Sequence, residues 1–147
     1  MNDSPVPQGK YCPAVREGNL IFTAGMTPRV NGVLMLSGPI DPALPPETYK
    51  EAVRQSARNA LTAARNTLAE GERISRVLSV TVYLSFSGPC EKHSKYADLA
   101  SEYLCEELGE AGIAGRTSVA VASLPGNAPV EISLIAAVRC TAQQVRP

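Results

Sequence analysis

An arginine, a hydroxyl and a carboxylate stand close together in the last third of this 147-residue chain. Arg116 opens the run RTSVAVASLP, Ser118 follows it, and Glu131 interrupts the otherwise apolar run VEISLIAAV. A guanidinium at the start of a strand can take a carboxylate through two parallel hydrogen bonds. A carboxylate set in an apolar strand is desolvated, so its pKa rises, and it can position water or move a proton. Each has an ordinary alternative. Arg116 serves equally as a surface charge or the partner of a neighbouring carboxylate, and Glu131 as the partner of a lysine or a backbone N–H. Tyr11 is open to the same double reading, as a pocket wall or as a packed ring with a satisfied hydroxyl. Gly25, directly after the apolar run LIFTA, lets backbone or ligand approach closely.

Other chemistries find little support. The four cysteines, Cys12, Cys90, Cys105 and Cys140, form no CxxC, and His93 is the single histidine, which argues against a zinc site. The thiols are expected to be reduced and packed as small apolar groups. His93 falls at the start of a helix and is given no role.

The residues singled out need strands to hold them. The run over 117–122 and the alternating run over 130–138 read as two strands, joined by SLPGNAP, whose prolines and glycine cannot continue a strand. In the second, Val130, Ile132, Leu134, Ala136 and Val138 share an apolar face, and Glu131, Ser133, Ile135 and Ala137 share the other. Read as a hairpin with Ala120 opposite Glu131, the pair puts Arg116, Ser118 and Glu131 on one surface floored by alanines. Arg116 then lies about 13 Å along the strand from Ala120, a gap for a small ligand or a neighbouring subunit.

Upstream, short strands are predicted over 11–15 and 20–24 around the turn Glu17-Gly18-Asn19, and a third over 33–36 after Asn31-Gly32. Tyr49, Val53, Ala57, Ala60, Leu61, Ala64 and Leu68 mark a helix entered through Pro45 and Pro46 and ended by Gly71. RVLSVTVYL over 76–84 alternates with Leu78, Val80, Val82 and Leu84 on one face and Val77, Ser79, Thr81 and Tyr83 on the other. A second helix is expected over 91–108. The order βββ-α-β-α-ββ gives an α+β domain over 1–147, a six-stranded mixed sheet with two helices on one face and loose tails at 1–9 and 142–147. The uncovered face, holding Val77, Tyr83 and Ile135, is too apolar to leave wet, which suggests burial against other subunits.

Lys+Arg and Asp+Glu are both 14, so there is no basic excess to hold a phosphate backbone, and nucleic acid is not the expected partner. No apolar stretch approaches the ~20 residues of a membrane helix, and the N-terminal MNDSPVPQGKY has no secretory pattern, so the cytosol is the expected compartment.

Three segments in order, GKYCPAVREGNLIFTAGMTP, RVLSVTVYL and GRTSVAVASLP followed by VEISLIAAV, resemble the reactive intermediate deaminase family (Rid, or YjgF, also labelled endoribonuclease L-PSP), across nearly the whole chain. That resemblance implies a YjgF or chorismate-mutase-like fold and a homotrimer with sites between subunits. It implies hydrolysis of enamines or imines such as 2-aminoacrylate to 2-keto acids and ammonia, with no metal and no organic cofactor. Arg116 matches the family arginine that binds the substrate carboxylate, and Glu131 the glutamate that orders water. Tyr11, Ala24, Gly25, Asp98 and Ser118 match pocket positions. Ala24 and Met26 stand where many members carry serine and glutamine, Asp98 near a family asparagine, and Ser118 where some carry cysteine. The added charge of Asp98 opposes a carboxylate substrate. A regulatory trimer that binds a small acid without turning it over is the alternative, and ribonuclease action the third.

Overall fold

The structure is a computed structural model that describes residues 4–141; the expected tail over 142–147 and the first three residues lie outside that range. Four short strands, β1 (Ala14–Glu17), β2 (Leu20–Thr23), β3 (Arg29–Val30) and β4 (Val33–Leu34), precede helix α1 (Lys50–Arg65). Strand β5 (Glu72–Leu84), helix α2 (His93–Leu108), β6 (Gly115–Ala120) and β7 (Val130–Cys140) complete the order. The main sheet has five strands, β1-β2-β7-β5-β6, and β3 pairs only with β4 in a separate two-stranded sheet. The expected six-stranded sheet is therefore five strands and a small detached hairpin. β3 and β4 pair with each other across the turn at Asn31, which takes a positive φ.

Both helices pack on one face. α1 buries Val53, Ala57, Ala60, Leu61 and Ala64, and α2 buries Tyr96, Leu99, Ala100, Tyr103 and Leu104. The alanines on α1 let its backbone lie close to the strands. Against them stand Ile21, Val77, Val80, Val82, Leu84, Ile132, Leu134 and Ala136, all buried. Each such Val, Leu or Ile side chain contributes about 1.5–3 kcal/mol. Pro46 enters through a short 3-10 turn, Pro46–Tyr49, ahead of α1. Gly71 does not end the helix as expected: α1 stops at Arg65, and Gly71, at φ +79°, makes the turn into β5.

The apolar face of β7 is as read from its alternation, from Val130 to Val138. β5 is not. Its register against β7 slips between Ile74 and Arg76 and again between Val77 and Ser79. These bulges each insert one residue, so Val77 turns into the core and Leu78 turns out, 42% exposed. The predicted placing of Leu78 and Val77 is reversed for that reason.

β6 and β7 do not form a hairpin. β6 runs parallel to β5, with Val80 beside Arg116, Val82 beside Ser118 and Leu84 beside Ala120. β7 lies on the other side of β5, antiparallel, with Tyr83 beside Glu131. The connection over 121–129 crosses the end of β5, clipped by Val121 N–H to the Leu84 carbonyl at 2.9 Å and Ser85 N–H to the Pro129 carbonyl at 3.0 Å. β5 and β6 are thus the two strands of a β-α-β unit, which needs a crossover helix, here α2. Among the described residues no helix is long and apolar enough to cross a membrane.

Candidate functional site

The register decides where the chemistry lies. Residues directly opposite each other in neighbouring strands point to the same face. Arg116 and Ser118 share rows with the buried Val80 and Val82, so they belong to the helix-covered face. Glu131 shares a row with Tyr83 and Val119, on the open face. The expected single surface carrying Arg116, Ser118 and Glu131 is therefore overturned: the sheet separates the two charged groups.

Arg116 begins the edge strand, and its side chain runs out to α2. Its Nη1 donates to Asp98 Oδ1 at 2.8 Å and to Ser101 Oγ at 3.1 Å. Asp98 and Ser101, three residues apart on the helix, present one face to it. The Arg116 side chain is 23% exposed, while Asp98 is half exposed. Nε and Nη2 of Arg116 make no hydrogen bond or ion pair among the described residues. Ser118 Oγ, on the same face, is buried without a hydrogen-bond partner among the described residues. Ser101 was not singled out in the sequence; its spacing from Asp98 was the available signal.

Glu131 has different surroundings. After β2 the chain rejoins β7 for one residue, with Met26 N–H to the Ile132 carbonyl at 2.8 Å and Ile132 N–H to the Met26 carbonyl at 2.9 Å. That bridge presses Gly25 onto the Glu131 side chain: a methyl group at position 25 would lie 2.7 Å from the Glu131 carboxylate carbon. Burial pushes the Glu131 pKa above the usual carboxylate value, and its carboxylate has no hydrogen-bond or ion-pair partner among the described residues. Ala24 is held beside this point by its N–H to the Pro13 carbonyl at 2.8 Å.

Tyr11 is 49% exposed, and its hydroxyl accepts from the Gln8 N–H at 3.2 Å. Tyr11 and Gly25 both line a cleft of about 260 Å³ between the N-terminal segment, the β3–β4 hairpin and α1. The structure thus places the expected site residues in two separate clusters. Glu131, Gly25 and Ala24 meet at the β2–β7 junction beside a cleft that includes Tyr11, and Arg116, Asp98 and Ser118 lie at the α2–β6 edge.

His93 begins α2 and stacks edge-on against Phe86, with ring centres 5.4 Å apart. The thiols are free, but the expectation that all are packed fails at two of them: Cys12 and Cys140 are exposed because both lie at strand margins outside the core, and Cys90 and Cys105 are partly buried.

These elements have relatives. The family model described as Endoribonuclease L-PSP matches residues 1–138. The RutC family protein PH0854 of Pyrococcus horikoshii is 31% identical over 135 residues, covering 91% of each chain. Among solved structures, Atu1372 of Agrobacterium tumefaciens, described as of unknown function, superposes with a TM-score of 0.79 at 28% identity, covering 92% of this chain and 86% of that one. The YjgF gene product of E. coli gives 0.64 at 25% identity, covering 93% and 94%. A family match over residues 1–138, with a relative 31% identical across 91% of the chain, makes this chain a member of the endoribonuclease L-PSP family, the YjgF/RutC group.

Proposed function

We propose that the protein hydrolyses enamines or imines of small 2-keto acids, releasing ammonia, as a homotrimer whose sites join Arg116 of one copy to Glu131 of another. The observation that carries this reading is the Glu131 carboxylate. It is half-buried, unpartnered and pressed against a glycine, and burial raises its proton affinity. Those are the conditions that turn a surface acid into a general base near its working pH. Water adds to the imine carbon, and its proton passes through Glu131 to the nitrogen, giving the carbinolamine. The carbinol proton then passes by the same carboxylate to the nitrogen as the C–N bond breaks, so that imine plus water gives carbonyl plus ammonia and Glu131 ends ionised.

Arg116 supplies the carboxylate clamp. Asp98 engages only Nη1, so the edge formed by Nε and Nη2 stays available for two parallel hydrogen bonds. Asp98 thereby fixes the direction of the fork and lowers its net charge. That second effect favours the alternative, a trimer that holds a small acid without reaction. The family's endoribonuclease description has less support here, because a chain of net charge +0 lacks the basic surface that holds a polyanion.

The test is decay of a preformed 2-imino acid, followed by stopped-flow absorbance. Arg116→Ala is expected to slow hydrolysis at least about a hundredfold, the loss of a charge-assisted pair worth roughly 3 kcal/mol. Arg116→Lys recovers little, since an ammonium cannot present a planar fork. Wild-type decay by the Arg116→Ala variant removes the clamp from the mechanism. No acceleration by the wild type, together with saturable keto-acid binding, selects the binding protein.

A further inference from the structure

Four of the nine described arginines have a carboxylate partner. Arg16 pairs with Glu72, Arg54 with Glu106, Arg65 with Glu107 and Arg116 with Asp98. Arg29 and Arg58 form no ion pair among the described residues, and both line the same cleft of about 260 Å³. Among the described residues, none lining that cleft is acidic.

Arg29 is held in place by the fold. It opens β3, paired to Leu34, and its carbonyl accepts from Asn59 Nδ2 of α1 at 2.9 Å. The same amide donates to the Thr27 carbonyl at 3.1 Å, and Asn59 is buried. Its side-chain Nη1 donates to the Gly32 carbonyl at 2.9 Å, and Nη2 lies against Gly126. Nε is sealed from solvent with no acceptor among the described residues. A partly buried guanidinium with no carboxylate beside it among the described residues has its charge unbalanced. Across the cleft, Arg58 donates to Gln55 Oε1 at 3.1 Å and lies 5.4 Å above the Tyr103 ring. Those contacts position its charge and do not neutralise it.

We propose that this cleft is a binding site for a small oxyanion, a carboxylate or a phosphate, with Arg29 as its principal cation and Arg58 as its second. The volume sets the size. It falls below the ~300 Å³ at which pockets for drug-sized ligands begin, so the occupant is a metabolite-scale anion and not a polymer strand. Its arginines are distinct from Arg116, which lies at the α2–β6 edge of the same chain, while the cleft adjoins Glu131 through Gly25; anion binding by Arg29 and Arg58 stands whether or not the chain is a hydrolase.

A rival account makes Arg29 a strut that ties the β3–β4 turn to the loop at Gly126. The two accounts differ in what an anion does. The experiment uses the full chain carrying Arg116→Ala, so that the other guanidinium fork cannot contribute. Inorganic phosphate and acetate are titrated calorimetrically against chloride at equal ionic strength. Saturable binding of at least one is expected, and the anion that binds identifies the class. Adding Arg29→Gln weakens that binding by at least about tenfold, the loss of one charge-assisted contact. Arg29→Lys, which keeps the charge, retains part of it. Arg58→Gln, on the opposite wall and outside the β3–β4 turn, weakens it less, and serves if Arg29→Gln fails to fold. No saturable binding of either anion, or equal affinity with Arg29→Gln, overturns the site and leaves Arg29 a strut.

Discussion

Gly25→Ala tests the position of Glu131 without touching its chemistry. A methyl group at residue 25 would stand 2.7 Å from the Glu131 carboxylate carbon. Carbon atoms rest at about 3.5–4.0 Å, so the carboxylate must retreat by roughly 0.8–1.3 Å. It can do so, because the obstructing atoms are the end of a flexible side chain and not backbone. Gly25 also has no left-handed φ, so alanine suits the backbone there. Replacing glycine stabilises by about 0.4–1 kcal/mol through the unfolded chain, and an off-rotamer Glu131 costs about 0.5–1.5 kcal/mol. The two nearly cancel, leaving stability within ~1 kcal/mol and Tm within a few degrees of wild type.

Activity should not survive so well. A misplacement of about 1 Å in a catalytic group costs on the order of a hundredfold. The assay is kcat/KM for decay of a preformed imino acid, with Tm recorded on the same samples. Glu131→Gln alone and the double variant complete the cycle. If the alanine acts by moving the base, it adds little once the base is gone. Wild-type kcat/KM in Gly25→Ala sinks the assignment of Glu131 as a positioned base. A full additional loss in the Glu131→Gln background means that Gly25 gives room to substrate.

Burial raises the Glu131 pKa, so the ionised folded state is penalised as pH rises from the usual carboxylate value through the raised one; Glu131→Gln should raise Tm at pH 7 and leave it nearly unchanged at pH 4, and an equal shift at both contradicts the burial argument. Glu72 behaves oppositely. Its bidentate pairing with Arg16 and the Ala69 N–H hold its pKa down to about 2, so the stability it adds is present above the ordinary value and lost as pH falls from about 4.5 to about 2. Urea midpoints across that window should fall less steeply in Glu72→Gln than in wild type. Finally, Phe22, Leu78 and Val119, each 38–43% exposed, give the uncovered sheet face an apolar surface. Sedimentation at micromolar concentration should return a multiple of 15.5 kDa, and a clean monomer removes any site shared between copies.

How far the sequence could be read depended on whether a feature was local. β7 alternates without interruption from Val130 to Val138, so its two faces and the outward aim of Glu131 follow from a period of two. The α1 stripe from Val53 to Ala64 is equally local. The alternation of β5 misleads because bulges at Ser75 and Leu78 leave no composition signal, yet each shifts the phase by one residue. Leu78 is as apolar as Val77; only the slipped register exposes one and buries the other.

The larger error was one of pairing. The alternation of β6 is compatible with a neighbour on either side, and the prolines and glycine of SLPGNAP suit a hairpin turn and a crossover alike. What excludes the hairpin is the long β5, whose two edges take β6 and β7 separately from Leu84 inward. The consequence is chemical. A hairpin would have put Arg116 and Glu131 on one surface, so a single chain could have held a carboxylate and activated water together. With β5 between them, Arg116 faces α2 and Glu131 faces the open side. A reaction that needs both must draw them from different copies. Within one chain, Asp98 occupies one nitrogen of Arg116 on the helix-covered face, and burial is what raises the pKa of Glu131 on the other.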